Sequence, residues 1–485
     1  MDYKITGYKP EKLFHFFEEI SAIPRGSGNE KGISDYLVKF AKDRNLWVHQ
    51  DEAYNVIIKK EGSEGAKDKE PVMLQGHIDM VCDKLAGVEH DFEKDGIDLV
   101  VKDGVLSANG TTLGADNGVA VALMMMVLDD DDIKHPPVEC VFTTEEEVGL
   151  NGAQALDKSL ITARTMINMD SEDEGVATIS CAGGLRIQFT RPVKREAAEG
   201  SLLSIKIEGL LGGHSGMDIS KERQNANLLM ARMADHLMRN TDGRLVTFAG
   251  GTKDNAITRE CEASFIYANK EEAEKAEKLS CALAEVMADE ITPDEPDFAC
   301  EISLEEGRIA SAIPAEDAKA FIGAIRLAPN GVFSRNMKMD GFVVTSSNMG
   351  VVKADEDTLM IVVSPRSSVA SLQENTKDRF QTLADTFGFA AEYSGEYPGW
   401  SFVEKSRIRE VFIESYRELF GKELKVEAIH AGLECGLFSE ALPGLDAIAV
   451  GPTLYDVHTP DEHVPLDSFE RFYELLKDVL ARLAK

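Results

Sequence analysis

Three consecutive glutamates, Glu145–Glu147, stand in the segment TTEEEVG, directly after an apolar run. The residues before them, PPVECVF, predict a strand in which Val138, Cys140 and Phe142 alternate on one face. Carboxylates clustered at the end of a strand are costly unless water or a cation offsets their charge. Metal binding is therefore the first chemistry to consider.

Further side chains able to bind metal lie at the ends of other predicted elements. Zinc and similar divalent ions accept imidazole nitrogen and carboxylate oxygen as ligands. The candidates are His77, Asp116, Glu145, Glu146, Glu147, Asp170 and His458. Two adjacent ions could share a carboxylate, and such a pair needs about five protein ligands plus one free carboxylate as a base.

The predicted elements bring these candidates together. Strands alternate with helices in the first part of the chain, which indicates an α/β fold with a mostly parallel sheet. GHID, TTEEEVG and NMD each follow a predicted strand, and Asp116 opens a predicted helix. Ligands of such sheets bind beyond the carboxyl ends of the strands. We therefore expect the candidates to converge at one edge of the sheet.

Composition restricts the class of protein. A chain of 485 residues predicts two or three domains, and no apolar run approaches the ~18 residues of a membrane span. The first residues lack the apolar segment of a signal peptide, and seven cysteines without a CxxC pair are typical of the cytoplasm. A net charge of −33 argues against nucleic acid and anionic membranes as partners.

The sequence pattern changes twice, which predicts an inserted domain. After CAGGLRIQF, two strand-then-helix segments follow one another, and the α/β pattern returns with SRIREVFIESYRELFG. We therefore predict one domain formed by residues 1–185 and 399–485, interrupted by an inserted α+β domain at 186–398.

Each signal taken alone has an ordinary structural explanation. A histidine after a strand is commonly structural, and an aspartate before a helix is commonly an N-cap. The segment GTTLGADNG lacks the Asp/Asn alternation of an EF-hand loop, which argues against calcium. The metal-site interpretation therefore depends on the order and spacing of the motifs together.

Six motifs occur in an order that resembles a known family. They are GHIDMV, GTTLGADNGVAVA, TTEEEVGLNGA, INMDSED, GGHSGMDI and YDVHTPDE. Together they resemble the di-zinc metallopeptidases that include glutamate carboxypeptidases, aminoacylases and dipeptidases, and in particular the branch of aminoacyl-histidine dipeptidases, or cytosolic non-specific dipeptidases. The likeness extends from His77 to His463, nearly the whole chain.

The resemblance implies an architecture and a cofactor. The fold would be an α/β catalytic domain with an inserted α+β lid or dimerisation domain. Each chain would hold two Zn(II) ions, for which Co(II) or Mn(II) could substitute, and would form a cytoplasmic homodimer. His77 and Asp170 would bind one zinc, Glu147 and His458 the other, and Asp116 would bridge the two.

The resemblance also implies catalytic roles. Counting back from Gly149 makes Glu146 the general base and Glu147 the ligand, and leaves Glu145 as an accessory carboxylate. Asp79 would orient the site. His214, in GGHSG, would donate to the tetrahedral oxyanion, either from the same chain or from a partner subunit.

Substrate contacts are implied less specifically. Asn255 and Arg366 resemble inserted-domain residues that bind a free carboxylate of the substrate, although both are equally explained as polar residues at strand ends. Glu434, in HAGLECG, could meet a substrate amine. His463, five residues after His458, is expected to be structural.

The expected function is metal-dependent hydrolysis of dipeptides, of the Xaa-His type and with broad specificity. A deacylase of N-acyl amino acids or a carboxypeptidase is the alternative within the same family. A metal- or peptide-binding protein without catalysis is a third possibility, against which the intact Glu146 argues. A structural role for the inserted domain, as a dimerisation module, is compatible with the dipeptidase.

Overall fold

The protein, described here by a computed structural model covering residues 3–339 and 341–485, forms two compact units. Unit 1 contains Met1–Cys181, Trp400–Ala428 and Leu433–Lys485, and unit 2 contains Ala182–Gly399 and Ile429–Gly432. The predicted boundaries were 185/186 and 398/399. No sequence pattern indicates the return of Ile429–Gly432 to unit 2.

Eleven helices occur in the described ranges. They are α1 (Glu11–Ser21), α2 (Lys31–Asp43), α3 (Ala115–Asp129), α4 (Asn151–Ala155), α5 (Ala226–Asn240), α6 (Lys270–Ile291), α7 (Ala315–Leu327), α8 (Ala370–Phe387), α9 (Arg407–Phe420), α10 (Glu434–Ala441) and α11 (Leu466–Leu483). Within residues 3–339 and 341–485, none of the helices combines the length and apolar character needed to cross a bilayer.

The strands fall into three groups along the chain. Before the insertion they are β1 (Trp47–Gln50), β2 (Val56–Lys60), β3 (Val72–His77), β4 (Leu99–Lys102), β5 (Val105–Ala108), β6 (Val138–Thr143), β7 (Thr165–Asn168) and β8 (Val176–Cys181). Within it they are β9 (Gly183–Pro192), β10 (Glu196–Glu208), β11 (Gly213–His214), β12 (Arg244–Gly250), β13 (Ala256–Ile257), β14 (Cys261–Tyr267), β15 (Ala299–Ala312), β16 (Gly331–Asn336), β17 (Phe342–Ala354), β18 (Thr358–Ser367) and β19 (Ala390–Tyr397). After it they are β20 (Lys425–Ile429), β21 (Asp446–Ala449) and β22 (His463–Pro465).

Unit 1 is built on an eight-stranded mixed sheet in the order β1-β2-β6-β3-β7-β21-β8-β20. β3 pairs in parallel with β6 and with β7, and β7 pairs in parallel with β21. The pairs β1–β2, β2–β6 and β21–β8 are antiparallel. The predicted α/β class is therefore observed, with parallel pairing among β6, β3, β7 and β21 and antiparallel pairing on either side of them.

The central strands are buried on both faces. Every residue of β6 is buried, so the alternation predicted for this strand does not separate a core face from a solvent face. Helix α3 is also buried almost all round, and its methionines fill the core. Amphipathic helix α11 directs its apolar stripe inward, and Phe469 packs edge-on against Phe14 and Phe17 of α1.

Unit 2 contains one nine-stranded antiparallel sheet. The order is β15-β10-β14-β12-β17-β18-β9-β19, and β16 pairs with β17 outside this path. The two strand-then-helix segments recognised in the sequence supply β10 with α5 and β18 with α8, and both strands belong to this sheet. Helices α5, α6, α7 and α8 contribute apolar residues to the core that the sheet forms.

Candidate metal centre

The ends of the parallel strands position most of the predicted ligands. His77 is the last residue of β3, Glu145–Glu147 begin two residues after β6, and Asp170 lies two residues after β7. Because β6 and β7 both run parallel to β3, these three ends meet at one edge of the sheet. Asp116 comes from the first turn of α3, and His458 from the loop between β21 and β22.

The predicted ligand atoms lie close together. His77 Nε2 is 3.1 Å from Asp116 Oδ1 and 3.5 Å from Asp170 Oδ1. His458 Nε2 is 3.1 Å from Asp116 Oδ2 and 3.1 Å from Glu147 Oε1. The two oxygens of Asp116 therefore face different histidines, which is the arrangement that a bridging carboxylate requires.

Three overlapping groups of side chains each bring one ligand atom per residue within 4.8 Å of the others. They are His77 with Asp116 and Asp170, His77 with Glu146 and Glu147, and Asp116 with Glu147 and His458. The buried Oε1 of Glu147 lies 3.1 Å from His458 Nε2. Carboxylates gathered this closely are costly unless positive charge offsets them, and the nitrogen and oxygen donor set suits zinc-like ions. The residues therefore fit a divalent-cation centre.

In the metal-free protein, the two histidines carry raised pKa values. Hydrogen bonds to Asp116 and Glu147 raise the pKa of His458 to about 11. Burial opposes protonation of His77, but the charge of Asp170 and the hydrogen bond to Asp116 still raise its pKa. Burial likewise opposes ionisation of Asp116, and the hydrogen bonds from the histidines nevertheless hold its pKa well below the usual range. Two protonated imidazoles thus offset the carboxylates of the centre.

Two neighbouring carboxyl groups, those of Glu146 and Asp170, have raised pKa values, in contrast to Asp116. Burial raises the pKa of Glu146 to about 9, and the negative charge of Asp170 adds to this effect. Burial also raises the pKa of Asp170 to about 6, against the opposing attraction of His77. Carboxyl pKa values displaced upward in a polar cluster are typical of functional sites.

Asp79 contacts His77 and the backbone of Glu146 and Glu147. Its side chain is fully buried, and its Oδ1 is 3.3 Å from Nδ1 of His77. It also accepts hydrogen bonds from Ser27 Oγ at 2.8 Å and from the backbone N–H groups of Glu146 and Glu147 at 3.1 and 3.3 Å. One carboxylate thus orients a candidate ligand and the backbone of the glutamate turn.

Glu145 has different surroundings from the next two glutamates. Its backbone has a φ of 49°, and its N–H donates to Glu30 at 3.2 Å. Its side chain accepts a hydrogen bond from Asn151 at 3.0 Å. Of the ligand groups found in residues 3–339 and 341–485, none includes Glu145.

Glu434 belongs to a buried network under the strand ends. It is fully buried, accepts from Thr143 Oγ1 at 2.8 Å and accepts a short hydrogen bond from Gln75. Gln75 in turn accepts from Asn168 at 2.6 Å. Burial raises the pKa of Glu434 to about 7, and its Oε1 has no hydrogen-bond partner in the described part of the chain.

The remaining predicted site residues lie in unit 2. His214 Nδ1 accepts from the backbone N–H groups of Gly216 and Met217, at 3.3 and 3.1 Å. Burial lowers the pKa of His214, and the charge of Arg366 adds to this. An acceptor Nδ1 on a neutral ring makes Nε2 the N–H donor.

Two further unit 2 residues were predicted to bind a substrate carboxylate. The backbone carbonyl of Asn255 accepts from the N–H of Ser215 at 2.9 Å. Arg366 Nη1 donates to the hydroxyl of Tyr397 at 2.8 Å. The Nε of Arg366 is buried and unpaired within the ranges that the structure describes.

His463 occupies a structural position. It begins β22, pairs with Ser107 of β5, and stacks on the ring of Tyr455 with 5.0 Å between centroids. This agrees with its expected role.

Sequence reasoning missed two buried charged residues behind the centre. Glu462 is 2% exposed and accepts hydrogen bonds from four consecutive backbone N–H groups, those of residues 113–116. Arg25 is also 2% exposed and donates to the backbone carbonyls of Ile78, Asp79 and Gly114. Backbone atoms are the same for every residue type, so contacts with them cannot be predicted from residue types in the sequence. The position of Glu462, four residues after His458, was the available indication.

Comparisons with known proteins agree with this geometry. Residues 73–482 match the family described as peptidase family M20/M25/M40. The chain is 34% identical over 482 residues to the cytosol non-specific dipeptidase of Escherichia coli (strain K12), with 99% of each chain covered.

Solved structures give the same result. The crystal structure of aminoacylhistidine dipeptidase from Vibrio alginolyticus matches with a TM-score of 0.94 at 35% identity, covering 99% of this chain and 98% of that one. The aminopeptidase PepT from Bacillus cereus shares the fold, with a TM-score of 0.56 at 17% identity over 98% of this chain and 99% of that one. These matches confirm the family inferred from the motifs: the chain belongs to peptidase family M20/M25/M40.

Proposed function

We propose that this protein is a metal-dependent dipeptidase of broad specificity that cleaves Xaa-His dipeptides. The observation that carries the proposal is the convergence of two imidazoles and three carboxylates, one of which is the shared Asp116, with Glu146 beside them. The names of two highly similar relatives, a cytosol non-specific dipeptidase and an aminoacylhistidine dipeptidase, support the substrate class.

The proposed cofactor is a pair of Zn(II) ions per chain, for which Co(II) or Mn(II) could substitute. His77 and Asp170 would hold one ion, Glu147 and His458 the other, and Asp116 would bridge them. When bound, divalent cations supply positive charge that polarises a carbonyl group and acidifies water.

Glu146 is the proposed general base. It accepts a proton from the attacking water, whose oxygen bonds to the peptide carbonyl carbon. The same carboxyl group then gives that proton to the leaving amine nitrogen as the C–N bond breaks. Nearby cationic charge favours ionised Glu146, which offsets the raised pKa of about 9 in the metal-free protein.

Asp79 and His214 have proposed supporting roles. Asp79 would keep the His77 ring and the glutamate turn in place through the contacts described above. His214 would donate from Nε2 to the developing oxyanion, as a neutral imidazole. In a homodimer, the donor could come from the same chain or from the partner.

Three residues are proposed to bind the ends of the substrate. Arg366 would bind the free carboxylate, since its buried Nε has no partner in the described residues, and Asn255 would assist. Glu434 would bind the free amine through its unpaired Oε1.

We further propose a cytoplasmic location. The net charge of −33 supports peptides rather than nucleic acid or membranes as partners.

A hydrolysis panel tests the proposed function. It compares an Xaa-His dipeptide, a mixed dipeptide, a tripeptide and an N-acetyl amino acid, each before chelation, after chelation and after zinc is added back. We expect cleavage of both dipeptides, its loss on chelation and its recovery with zinc. Cleavage of the N-acetyl compound alone would identify a deacylase. Zinc binding without any turnover would identify a binding protein.

A further inference from the structure

We propose that Glu462 is a positioning residue that fixes Asp116 and His458 relative to each other. This inference rests on the proposed function, because it concerns the same metal centre. Glu462 would not contact the substrate. Its role would be to set the path of the backbone that carries two of the ligands.

Glu462 contacts the backbone of the segment that enters α3. Glu462 Oε2 accepts from the N–H groups of Leu113 and Gly114, at 2.8 and 2.9 Å. Its Oε1 accepts from Ala115 at 2.8 Å and from Asp116 at 3.2 Å. Four consecutive amides bound by one carboxylate leave the backbone of Asp116 little freedom.

The carbonyl side of the same segment is held by Arg25. This buried guanidinium donates to the carbonyl of Gly114 and, at 3.1 Å, to the carbonyls of Ile78 and Asp79. Gly114 has a φ of 69°, and a Cβ there would lie 2.6 Å from Arg25 Nη2. The segment therefore lies between a buried anion and a buried cation, with room for a glycine only.

Glu462 is also connected to His458, through a hydrogen-bonded turn. The N–H of Glu462 donates to the carbonyl of Thr459 at 3.1 Å, and Thr459 Oγ1 donates to the carbonyl of Asp456 at 2.7 Å. These bonds close a tight turn that contains His458, whose φ is 63°. Displacing Glu462 would therefore move His458 as well as Asp116, and would change the 3.1 Å separation of His458 Nε2 and Asp116 Oδ2.

The chemistry requires a carboxylate at this position. Glu462→Gln keeps the size of the side chain but replaces one acceptor oxygen with an NH₂ group, which would face backbone donors. At least two buried amides would then lose their acceptor. The segment would have to shift in order to satisfy them.

The test measures metal retention by the zinc-loaded full-length chain in competition with a chromophoric chelator. For Glu462→Gln we expect about 10- to 100-fold weaker binding of at least one zinc per chain. The Co(II) absorption spectrum, which reports ligand geometry, should change as well.

Glu139→Gln provides a matched control. Glu139 is a buried glutamate of unit 1 at the opposite end of β6, and it accepts from the N–H groups of Thr162 and Ala163 at 2.9 and 3.0 Å. We expect this variant to lose thermal stability but to keep wild-type zinc affinity. If Glu462→Gln does not fold, Glu462→Asp, which keeps the charge on a shorter side chain, gives the same comparison.

The outcomes separate the two proposals. Equal zinc affinity in wild type and the Glu462 variants, or an equal loss in the Glu139 control, would overturn the role of Glu462 while leaving a metal enzyme. Failure of the wild-type chain to bind metal at all would overturn the proposed function itself.

Discussion

At the scale of single residues, three adjacent glutamates have three different environments. Glu145 accepts a hydrogen bond from Asn151, Glu146 is half-buried and has a raised pKa, and the Oε1 of Glu147 lies 3.1 Å from His458 Nε2. Their backbones differ as well, because the N–H groups of Glu146 and Glu147 donate to Asp79 whereas that of Glu145 donates to Glu30. Identical residue types therefore need not share a role.

The first prediction concerns the general base. Glu146→Gln should lower kcat about 100- to 10,000-fold, because the amide cannot take a proton from water. Bound zinc should remain, as measured by metal analysis of the purified protein. Glu145→Gln is the matched control and should keep most of the activity. Near-normal kcat in the Glu146 variant would contradict the assignment.

A second prediction follows from the raised pKa of His458, about 11 in the metal-free protein. The imidazole is protonated at pH 7, and a metal requires the neutral ring, so binding must release a proton. Zinc affinity should therefore fall as the pH falls. Calorimetric titration in two buffers of different ionisation enthalpy should reveal the release of about one proton or more per chain. Identical heats in both buffers would argue against this.

At the scale of elements, the centre of the sheet could be predicted and its edges could not. The runs that become β3, β6 and β7 predict strands of a mostly parallel sheet, although not their burial on both faces, and the fold class is confirmed by the matched structure of the aminoacylhistidine dipeptidase. The antiparallel direction of β1 and β2 has no equivalent signal, because direction depends on how the connections cross the sheet. At the other edge, the last residue of β20 belongs to unit 2, which no sequence pattern indicates.

The candidate site likewise contains some residues that could be predicted from the sequence and others that could not. His77 and Asp170 follow predicted strands, so their convergence could be anticipated from topology. Arg25 and Glu462 could not, because they bind backbone atoms, which are the same in every sequence. Recognition of the family supplied the individual roles, and spacing alone left several carboxylates as equal candidates.

The third prediction tests the packing of α11 on α1. Phe469→Ala should lower the free energy of unfolding by about 3–5 kcal/mol, because a buried ring is lost and a cavity remains. Its centroid lies 5.4 Å from that of Phe14 and 6.1 Å from that of Phe17. Denaturant unfolding measures the loss. Leu419→Ala, at an exposed position of α9, should change it by no more than about 0.5 kcal/mol.

A fourth prediction concerns the segment Ile429–Gly432, which belongs to unit 2. His430 is buried and shares a 2.7 Å hydrogen bond with Ser346. Burial lowers its pKa to about 3, and the charge of Arg366 adds to this. An unfolded histidine titrates near 6.5, so between about pH 6.5 and 3 the unfolded state binds one more proton than the folded state.

The stability contributed by neutral His430 is therefore complete above pH 6.5 and decreases as the pH falls toward 3. In that range the free energy of unfolding should change by up to about 1.4 kcal/mol per pH unit more in wild type than in His430→Gln. Denaturant unfolding at several pH values measures both slopes. Equal slopes would show that His430 titrates normally in the folded protein.

At the scale of the whole molecule, all proposed metal ligands lie in unit 1, while His214, Asn255 and Arg366 lie in unit 2. A ligand that binds only the folded state stabilises the structure it contacts. The fifth prediction is therefore that zinc slows amide hydrogen exchange in unit 1, most strongly near residues 113–118 and 143–152, and leaves unit 2 almost unchanged. Comparison of zinc-loaded and chelated protein by mass spectrometry measures this. Uniform protection of both units would contradict it.

The order of the chain has a consequence for biosynthesis. His77, Asp116, Glu147 and Asp170 are translated before the insertion, whereas His458 and Glu462 come about 290 residues after Asp170. At about 5–20 residues per second, a ribosome needs roughly 15–60 s to cross that interval. Throughout this time the nascent chain would contain only part of the proposed ligand set, and an ion bound then would lack the imidazole of His458. Completion of the proposed centre therefore waits for the late segment that carries His458 and Glu462.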